Sequence, residues 1–335
     1  MDWSRGFSAV YFIATVDPVT WRDTDRVEVT GGTITREANG LMHAADVDCI
    51  NYDATEERYI RIYLDARQTG DGARVALFTG LAAAPEAAHR GTATEVTVEC
   101  YSVLKPAEDV LLPLGWYAPA GIDAGSIIRQ LLAVIPAPVT VDESAPTLKT
   151  SIIADEDESY LSMAQKVAAA IGWIIRLEGD GSVHFMPKPA TYSAVFDPRE
   201  NDVIESGITT KTDWYSCPNV FRAVTDDLMA IARDDSEDSP LSTVNRGREI
   251  WMQDTSCDLG DDEDIAQYAQ RRLAEEQQKA FSANYKRRFQ PDILPGDIVF
   301  MRYPKQGLNG SYRVISQTIE LGYGATTEED VSNEH

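Results

Sequence analysis

Turn chemistry constrains this chain more than any other feature, and it is clearest near the C-terminal end. Leu294-Pro295-Gly296-Asp297 leads into the apolar run Ile298-Val299-Phe300. A second turn, Gly307-Leu308-Asn309-Gly310, returns the chain into Tyr312-Arg313-Val314-Ile315-Ser316-Gln317-Thr318-Ile319. Proline presets one backbone angle and glycine supplies a positive one, so both turns have a mechanism. The same texture fills the N-terminal part as far as Leu104. β-Branched and aromatic runs recur at Ala9–Thr15, Arg26–Glu37, Ala44–Ile50, Arg58–Asp65, Arg74–Thr79 and Thr94–Tyr101. Gly31-Gly32, Asn39-Gly40 and Thr69-Gly70-Asp71-Gly72 read as the turns between them. Thr94–Glu99 alternates polar and apolar residues, so one strand face is buried. Many short strands, glycine turns and no long helix predict a barrel or sandwich.

Between these β-rich regions the period changes. Asp123 precedes Ile127, Ile128, Leu131 and Leu132, a helical stripe stopped by Pro136 and Pro138. Ser159 can cap a second helix with Leu161, Ala164, Ala168 and Ile171 on one side and Gly172 at its end. Trp173–Leu177 and Val183–Met186 then flank Glu178-Gly179-Asp180-Gly181-Ser182, a hairpin signal. Pro187, Pro189 and Pro198 mark the exit from this unit. Strand patterns resume at Val203–Thr212, Asn219–Val224, Leu228–Ala232 and Ala280–Phe289. One helix interrupts them at about residues 261–280, with Asp261-Asp262-Glu263-Asp264 at its N-terminal end and Arg271, Arg272 and Lys279 further on, as the helix dipole favours. The expected order is a β-barrel domain over 1–104, a small α/β domain over 105–199, and a second β-barrel domain over 200–335.

Charge narrows the function classes. A net charge of −24 argues against nucleic-acid affinity, which needs cations to displace phosphate counterions. The charge is uneven: Asp226 to Asp264 holds thirteen carboxylates and three arginines, and the stretch after it turns basic. That alternation suits either subunits meeting through complementary patches or a solvated acidic loop beside a surface helix. No apolar run reaches the roughly 18–20 residues that span a bilayer. Met1-Asp2-Trp3-Ser4-Arg5 lacks the basic-then-apolar shape of a secretory signal, so a soluble protein made in a cytoplasm is expected. Cys49, Cys100, Cys217 and Cys257 lie far apart and share no ligand spacing with His43, His89, His184 or His335. Buried reduced thiols are expected, with no metal site and no cofactor.

Catalytic constellations find little support. Paired carboxylates could serve glycoside hydrolysis, but Asp234, Asp235, Glu237 and Asp238 sit in a polar run, where no apolar pocket would separate their pKa values. Asp258-Leu259-Gly260-Asp261-Asp262-Glu263-Asp264 lacks the spaced oxygen ligands of a calcium loop. There is no Gly-x-Ser-x-Gly elbow, and Gly70, Gly72, Gly179 and Gly181 read as turn residues, not a phosphate cradle. Trp173 reads as core. Trp116-Tyr117 and Trp214-Tyr215 read as interface anchors or core before sugar platforms. Catalytic, cofactor-binding and metal-ligating residues are therefore all expected to be none.

The "PGDIVF … GSYRVISQTIEL" pattern resembles the closing barrel of the baseplate hub proteins of tailed bacteriophages and related contractile injection particles. Asp157–Pro189 resembles that family's helix–hairpin module, and Tyr101–Pro106 sits where its first barrel hands over to the α/β domain. Trp214–Val224 and Ser239–Ile250 resemble the opening strands of its second barrel. The resemblance implies a mainly β fold with an α+β insert: two tube-like antiparallel β-barrel domains separated by a small α/β domain. It also implies a structural role in the tail baseplate of a virion assembled in the host cytoplasm. There a homotrimeric, pseudo-six-fold ring would adapt the hexameric tail tube to a three-fold spike or tip. Implied partners are the tail tube protein, a central spike or tail-tip protein and the tape-measure protein. DNA would pass through the lumen without specific binding, and there would be no membrane insertion and no enzymatic activity. The rivals are a tail-associated cell-wall polysaccharide hydrolase and a carbohydrate-binding β module. A weak internal echo fits the duplication: "RVALFTGL … GTATEVTVE" and "YRVISQTIEL … GATTEEDVS" are each a strand, a turn and a Thr/Glu-rich strand. From turn chemistry, Gly296→Val is expected to be more disruptive than Gly179→Val.

Overall fold

The computed structural model describes residues 1–38, 43–52, 55–90, 93–198, 203–225, 227–255, 257, 259 and 263–334. Six strands open the chain: β1 (Ser8–Val16), β2 (Asp23–Glu37), β3 (His43–Ile50), β4 (Arg58–Gln68), β5 (Asp71–Arg90) and β6 (Ala93–Ser102). All six match the runs read from the sequence. They pair antiparallel in the order β1-β4-β5-β6-β3-β2, and β2 pairs back onto β1, so the sheet closes into a barrel. Alternation fills it: Ile13, Ile34, Val47, Ile60, Ile62 and Val98 are buried in one core. Each such side chain contributes about 1.5–3 kcal/mol of transfer free energy. Gly31-Gly32 is not a turn. It lies within β2, where the register against β3 shifts. The expected Asn39-Gly40 turn lies outside the described residues.

Helix α1 (Lys105–Asp109) follows, then β7 (Tyr117–Ala118), α2 (Ala124–Leu131), β8 (Val139–Val141), β9 (Ile152–Ile153), α3 (Tyr160–Ala170), β10 (Trp173–Leu177) and β11 (Val183–Pro187). Asp123 caps α2 by accepting from the backbone N–H of Gly125 and Ser126, and Ser159 caps α3 by accepting from that of Ser162. Leu161, Ala164, Ala168 and Ile171 are buried, as the helical period predicts. Gly172 ends α3 in the left-handed region, at φ +69. β10 and β11 form the expected hairpin, with β8 parallel to β11.

The rest comprises β12 (Tyr192–Phe196), β13 (Val203–Thr212), β14 (Val220–Val224), β15 (Met229–Arg233), α4 (Thr243–Arg246), β16 (Trp251–Asp254), α5 (Ile265–Gln278), β17 (Phe281–Arg287), β18 (Ile298–Tyr303), β19 (Leu308–Glu320) and β20 (Thr327–Glu334). The second barrel-like sheet runs β12-β18-β19-β20-β17-β13. Counted by order of appearance, this is the strand order of the first barrel. The echo between the two terminal hairpins thus reflects equivalent pairs, β5–β6 and β19–β20. The copy is not perfect: β12 and β18 are parallel, where β1 and β4 are antiparallel. Phe196, Tyr285, Val299, Met301, Val314 and Val331 fill its core.

Two sequence readings need correction here. Trp214–Val224 and Ser239–Ile250 do not open the second barrel. β14, β15 and β16 form a separate three-stranded sheet inserted between β13 and β17, and α5 packs on one of its faces. Strand propensity marks the runs but does not name their partners. The turn after β18 is also earlier than expected. Pro304–Gln306 forms a short 3-10 turn ended by Gly307, and Leu308-Asn309-Gly310 already belongs to β19. Helix α5 falls inside the expected window, and Asp264 forms a reciprocal capping box with Gln267. The upstream Asp258, Gly260, Asp261 and Asp262 lie outside the described residues.

Candidate functional site

What the fold builds is a junction that fixes two barrels against each other. The long strand β19 makes it possible. Its Ser316–Glu320 segment pairs with Thr33–Glu37 of β2, while Ser311–Ile319 pairs with β20. One strand therefore belongs to both barrels, and a twelve-stranded sheet results.

The β10–β11 hairpin clamps this arrangement from the side. Its tip packs on the first barrel: Arg61 donates to the Asp180 carbonyl at 2.8 Å, the Trp21 indole to the same oxygen at 3.1 Å, and the Thr79 hydroxyl to the Gly179 carbonyl at 2.8 Å. Arg61 also pairs with Asp23 at 2.7 Å. The hairpin's other end holds the second barrel. Arg176 donates to both carboxylate oxygens of Asp297, at 2.8 and 3.3 Å. Asp297 in turn closes the Pro-Gly-Asp turn by accepting from the Leu294 N–H at 2.9 Å. Gly296 sits at φ +93, as the turn chemistry requires. Between the three units lies a cavity of about 400 Å³ whose walls include Arg36, Glu178, His184 and Phe289. Arg36 is buried and donates to the Leu77 carbonyl. Burial pulls its guanidinium down to about 10, opposed by Glu178 and reinforced by Arg287, so it stays charged at neutral pH.

Charge is also buried inside the second barrel. Glu329 accepts from Arg287 at 2.6 Å, from the Gln317 amide at 2.6 Å and from the Tyr285 hydroxyl at 2.8 Å. Burial, then the Glu329 charge, pushes the Tyr285 hydroxyl well above its ordinary value. A cleft of about 660 Å³ separates α3 from α5 and the second barrel. There Glu275 bridges Lys188 at 2.6 Å, Arg271 at 3.3 Å and Arg272 at 3.0 Å. Burial raises the Glu275 carboxyl, but the three cations outweigh it and hold it at about 2.

The residues weighed for chemistry are scattered. Asp235, Glu237 and Asp238 are exposed, and Asp234 is tied to Ser239 at 2.5 Å and Gln277 at 3.0 Å. Glu263 forms a two-bond pair with Arg271, both at 2.8 Å. Trp173 packs against Phe185 with ring centres 5.1 Å apart. Trp214 packs edge-on against Phe281, and Tyr215 is exposed. All four cysteines are buried, and burial pushes the Cys49 thiol up to about 12. Among the described residues no group of three His, Cys, Asp or Glu is placed to hold a metal, and no helix is long and apolar enough to cross a membrane. The sequence reading missed the junction itself. Arg61, Thr79, Arg176 and Arg36 matter through partners distant in sequence; the Pro-Gly-Asp motif and the Gly-Asp-Gly hairpin turn signalled the junction's two ends, but not what they touch.

Solved structures share this architecture. A tail protein from Neisseria meningitidis superposes with a TM-score of 0.70 at 16% identity, over 97% of this chain and 97% of that one. The chain has the fold of phage tail proteins. A 43 kDa tail protein of prophage MuSo2 from Shewanella oneidensis gives 0.68 at 13% identity, over 97% and 96%. An E. coli component of the type VI secretion system, described as similar to the T4 tail proteins gp27 and gp5, gives 0.55 at 8% identity, over 91% and 73%. No family model and no curated protein matches the sequence. The tail-protein fold is thus held at identities too low for sequence comparison, and the mainly β reading with an α+β insert is borne out.

Proposed function

We propose that this chain is the baseplate hub subunit of a phage tail or tail-like particle, with a structural and not an enzymatic role. Three copies form a ring in which six barrels surround a central lumen. One face of the ring meets the hexameric tail tube and the other a three-fold spike or tip. The observation that carries this reading is the repeated strand order in two barrels welded through β19. Two equivalent tubes per chain turn three-fold symmetry into an approximate six-fold one, which is what a tube-to-spike adaptor needs. The shared fold of the phage tail proteins supports it, as does a structure of similar fold in a Francisella PdpA-VgrG complex. On this reading the domain limits are those expected, 1–104, 105–199 and 200–335, with Tyr192–Phe196 reaching forward to pair with the second barrel. The partners are the tail tube protein, the spike or tip protein and the tape-measure protein, in the virion tail.

Mass measurement in solution, with averaged electron images of the particles, tests it. The expected result is a trimer whose end view shows six-fold density. A monomer at high concentration would overturn the ring, and a monomer that also hydrolyses purified cell wall would replace this reading with the hydrolase.

A further inference from the structure

Two exposed apolar faces on this chain carry opposite charge. The first is a ribbon in which the stretch from Val110 to Ala118 runs antiparallel to that from Ile152 to Tyr160. It is held by β7–β9 pairing, a Leu111–Ser159 bridge and the Leu112 N–H donating to the Glu158 carbonyl at 2.9 Å. Alternation turns Leu112, Ala118 and Ile152 into the core and leaves Leu111, Tyr117 and Ile153 outside, Ile153 at 69% exposure. Leu114, in the intervening turn, is also exposed. The rim is acidic. Lys105 pairs with both Glu108 and Asp109 and Lys166 with both Asp155 and Glu158, so carboxylates outnumber cations there, and exposed Glu156 and Asp157 have no ion-pair partner among the described residues.

The second is the outer face of the β14–β16 sheet. Register places Phe221, Ala223 and Ala232 on the side covered by α5, and Arg222, Ile231, Met229, Arg233 and Trp251 on the other. Met229 is 61% exposed, and Ile231 and Trp251 are exposed with it. Glu249, at the rim, accepts from Arg233 and from the Trp251 indole at 2.9 Å, which leaves Arg222, among the described residues, donating to the neutral Gln253.

We infer that the arginine-bearing sheet face of one copy docks on the acid-rimmed ribbon of the next. The inference rests on the ring reading above and names the surfaces that close the ring. A chain with net charge −24 repels its copies over most of its surface, so subunits associate where a cationic apolar face meets an anionic apolar one. Two different patches on one chain make a heterologous contact, which generates a closed ring when the rotation between subunits permits. The apolar residues supply desolvated area, and the charges fix which face meets which.

Charge reversal with recovery tests this. One variant carries Arg222→Glu and Arg233→Glu, a second carries Glu156→Arg and Asp157→Arg, and a third carries all four changes. Circular dichroism and thermal melting establish that each is folded, and sedimentation gives the subunit affinity. The expected result is a trimer for the unaltered chain and on the order of 100-fold weaker association for each double variant, from like-charge juxtaposition. The fourfold variant recovers trimers, because it restores opposite charges across the contact. Double variants as trimeric as the unaltered chain would overturn the docking surfaces while leaving the ring intact. Weakening without recovery would show that each face meets some other surface of the neighbouring copy, and would overturn the pairing of these two faces. A monomeric unaltered chain would overturn both the docking and the ring.

Discussion

Gly179 is a glycine because of what lies opposite it. A Cβ built there would come within 1.9 Å of the Ala76 carbonyl oxygen in the first barrel, and backbone cannot swing aside. Gly296 has the positive φ that turn chemistry anticipates, yet its nearest obstacle is the Ile174 side-chain end at 3.2 Å. The structure therefore reverses the order expected from sequence. Gly179→Ala should cost about 3 kcal/mol by forcing the hairpin off the barrel, and Gly296→Ala about 1–2 kcal/mol for a side chain in the left-handed region. Thermal unfolding of the two variants decides it, and a larger loss at Gly296 would restore the turn-based ranking. Glu329 makes a second residue-scale case. Glu329→Gln removes the carboxylate that pairs with the buried Arg287 at 2.6 Å, which should cost about 3–5 kcal/mol. Glu320→Gln, at an exposed pair with Lys286, should cost under about 1 kcal/mol. Urea unfolding compares them, and equal effects would mean that Arg287 finds water.

Elements differ in how openly the sequence declares them. The six strands of the first barrel are legible because alternation and turn residues are both local signals, and α2, α3 and the β10–β11 hairpin carry their caps and turn glycines with them. Pairing is not local. Nothing in Asn219–Val224 says that it joins a small separate sheet, and nothing in Ser316–Glu320 says that it reaches back to β2. The cleft beside α5 is equally hidden, since Lys188 and Glu275 meet only in the fold. Glu275 gives this contact a pH dependence. Its folded pKa is depressed to about 2, so its contribution is present above the ordinary carboxylate range and is lost as pH falls through that range towards 2. Glu275→Gln should thus destabilise the protein by about 1–3 kcal/mol at pH 7, and the difference should shrink as pH approaches 2. Melting curves at several pH values check the trend. A constant difference across that range would show that packing, not charge, holds α5 in place.

At the scale of the whole molecule, a net charge of −24 suits the conduit that the proposed ring would form. A ring lined by Lys and Arg would bind phosphate through counterion release, and several such contacts would arrest DNA in transit. With 54 Asp and Glu against 30 Lys and Arg, a neutral or acidic inner wall is the expected arrangement. The cations that do exist are largely engaged: Arg287 by Glu329, Arg313 by Glu334, Arg271 by Glu263 and Glu275. Assembled protein should therefore hold double-stranded DNA more weakly than ordinary non-specific binders, whose dissociation constants are about 10⁻⁴–10⁻⁶ M at physiological salt. Fluorescence anisotropy with a short duplex, titrated from low to high salt, measures this. The expected trace is flat at every ionic strength. Tight binding at low salt that falls steeply as salt rises would mean a basic surface faces the nucleic acid, and a ring that grips DNA cannot also let it run through.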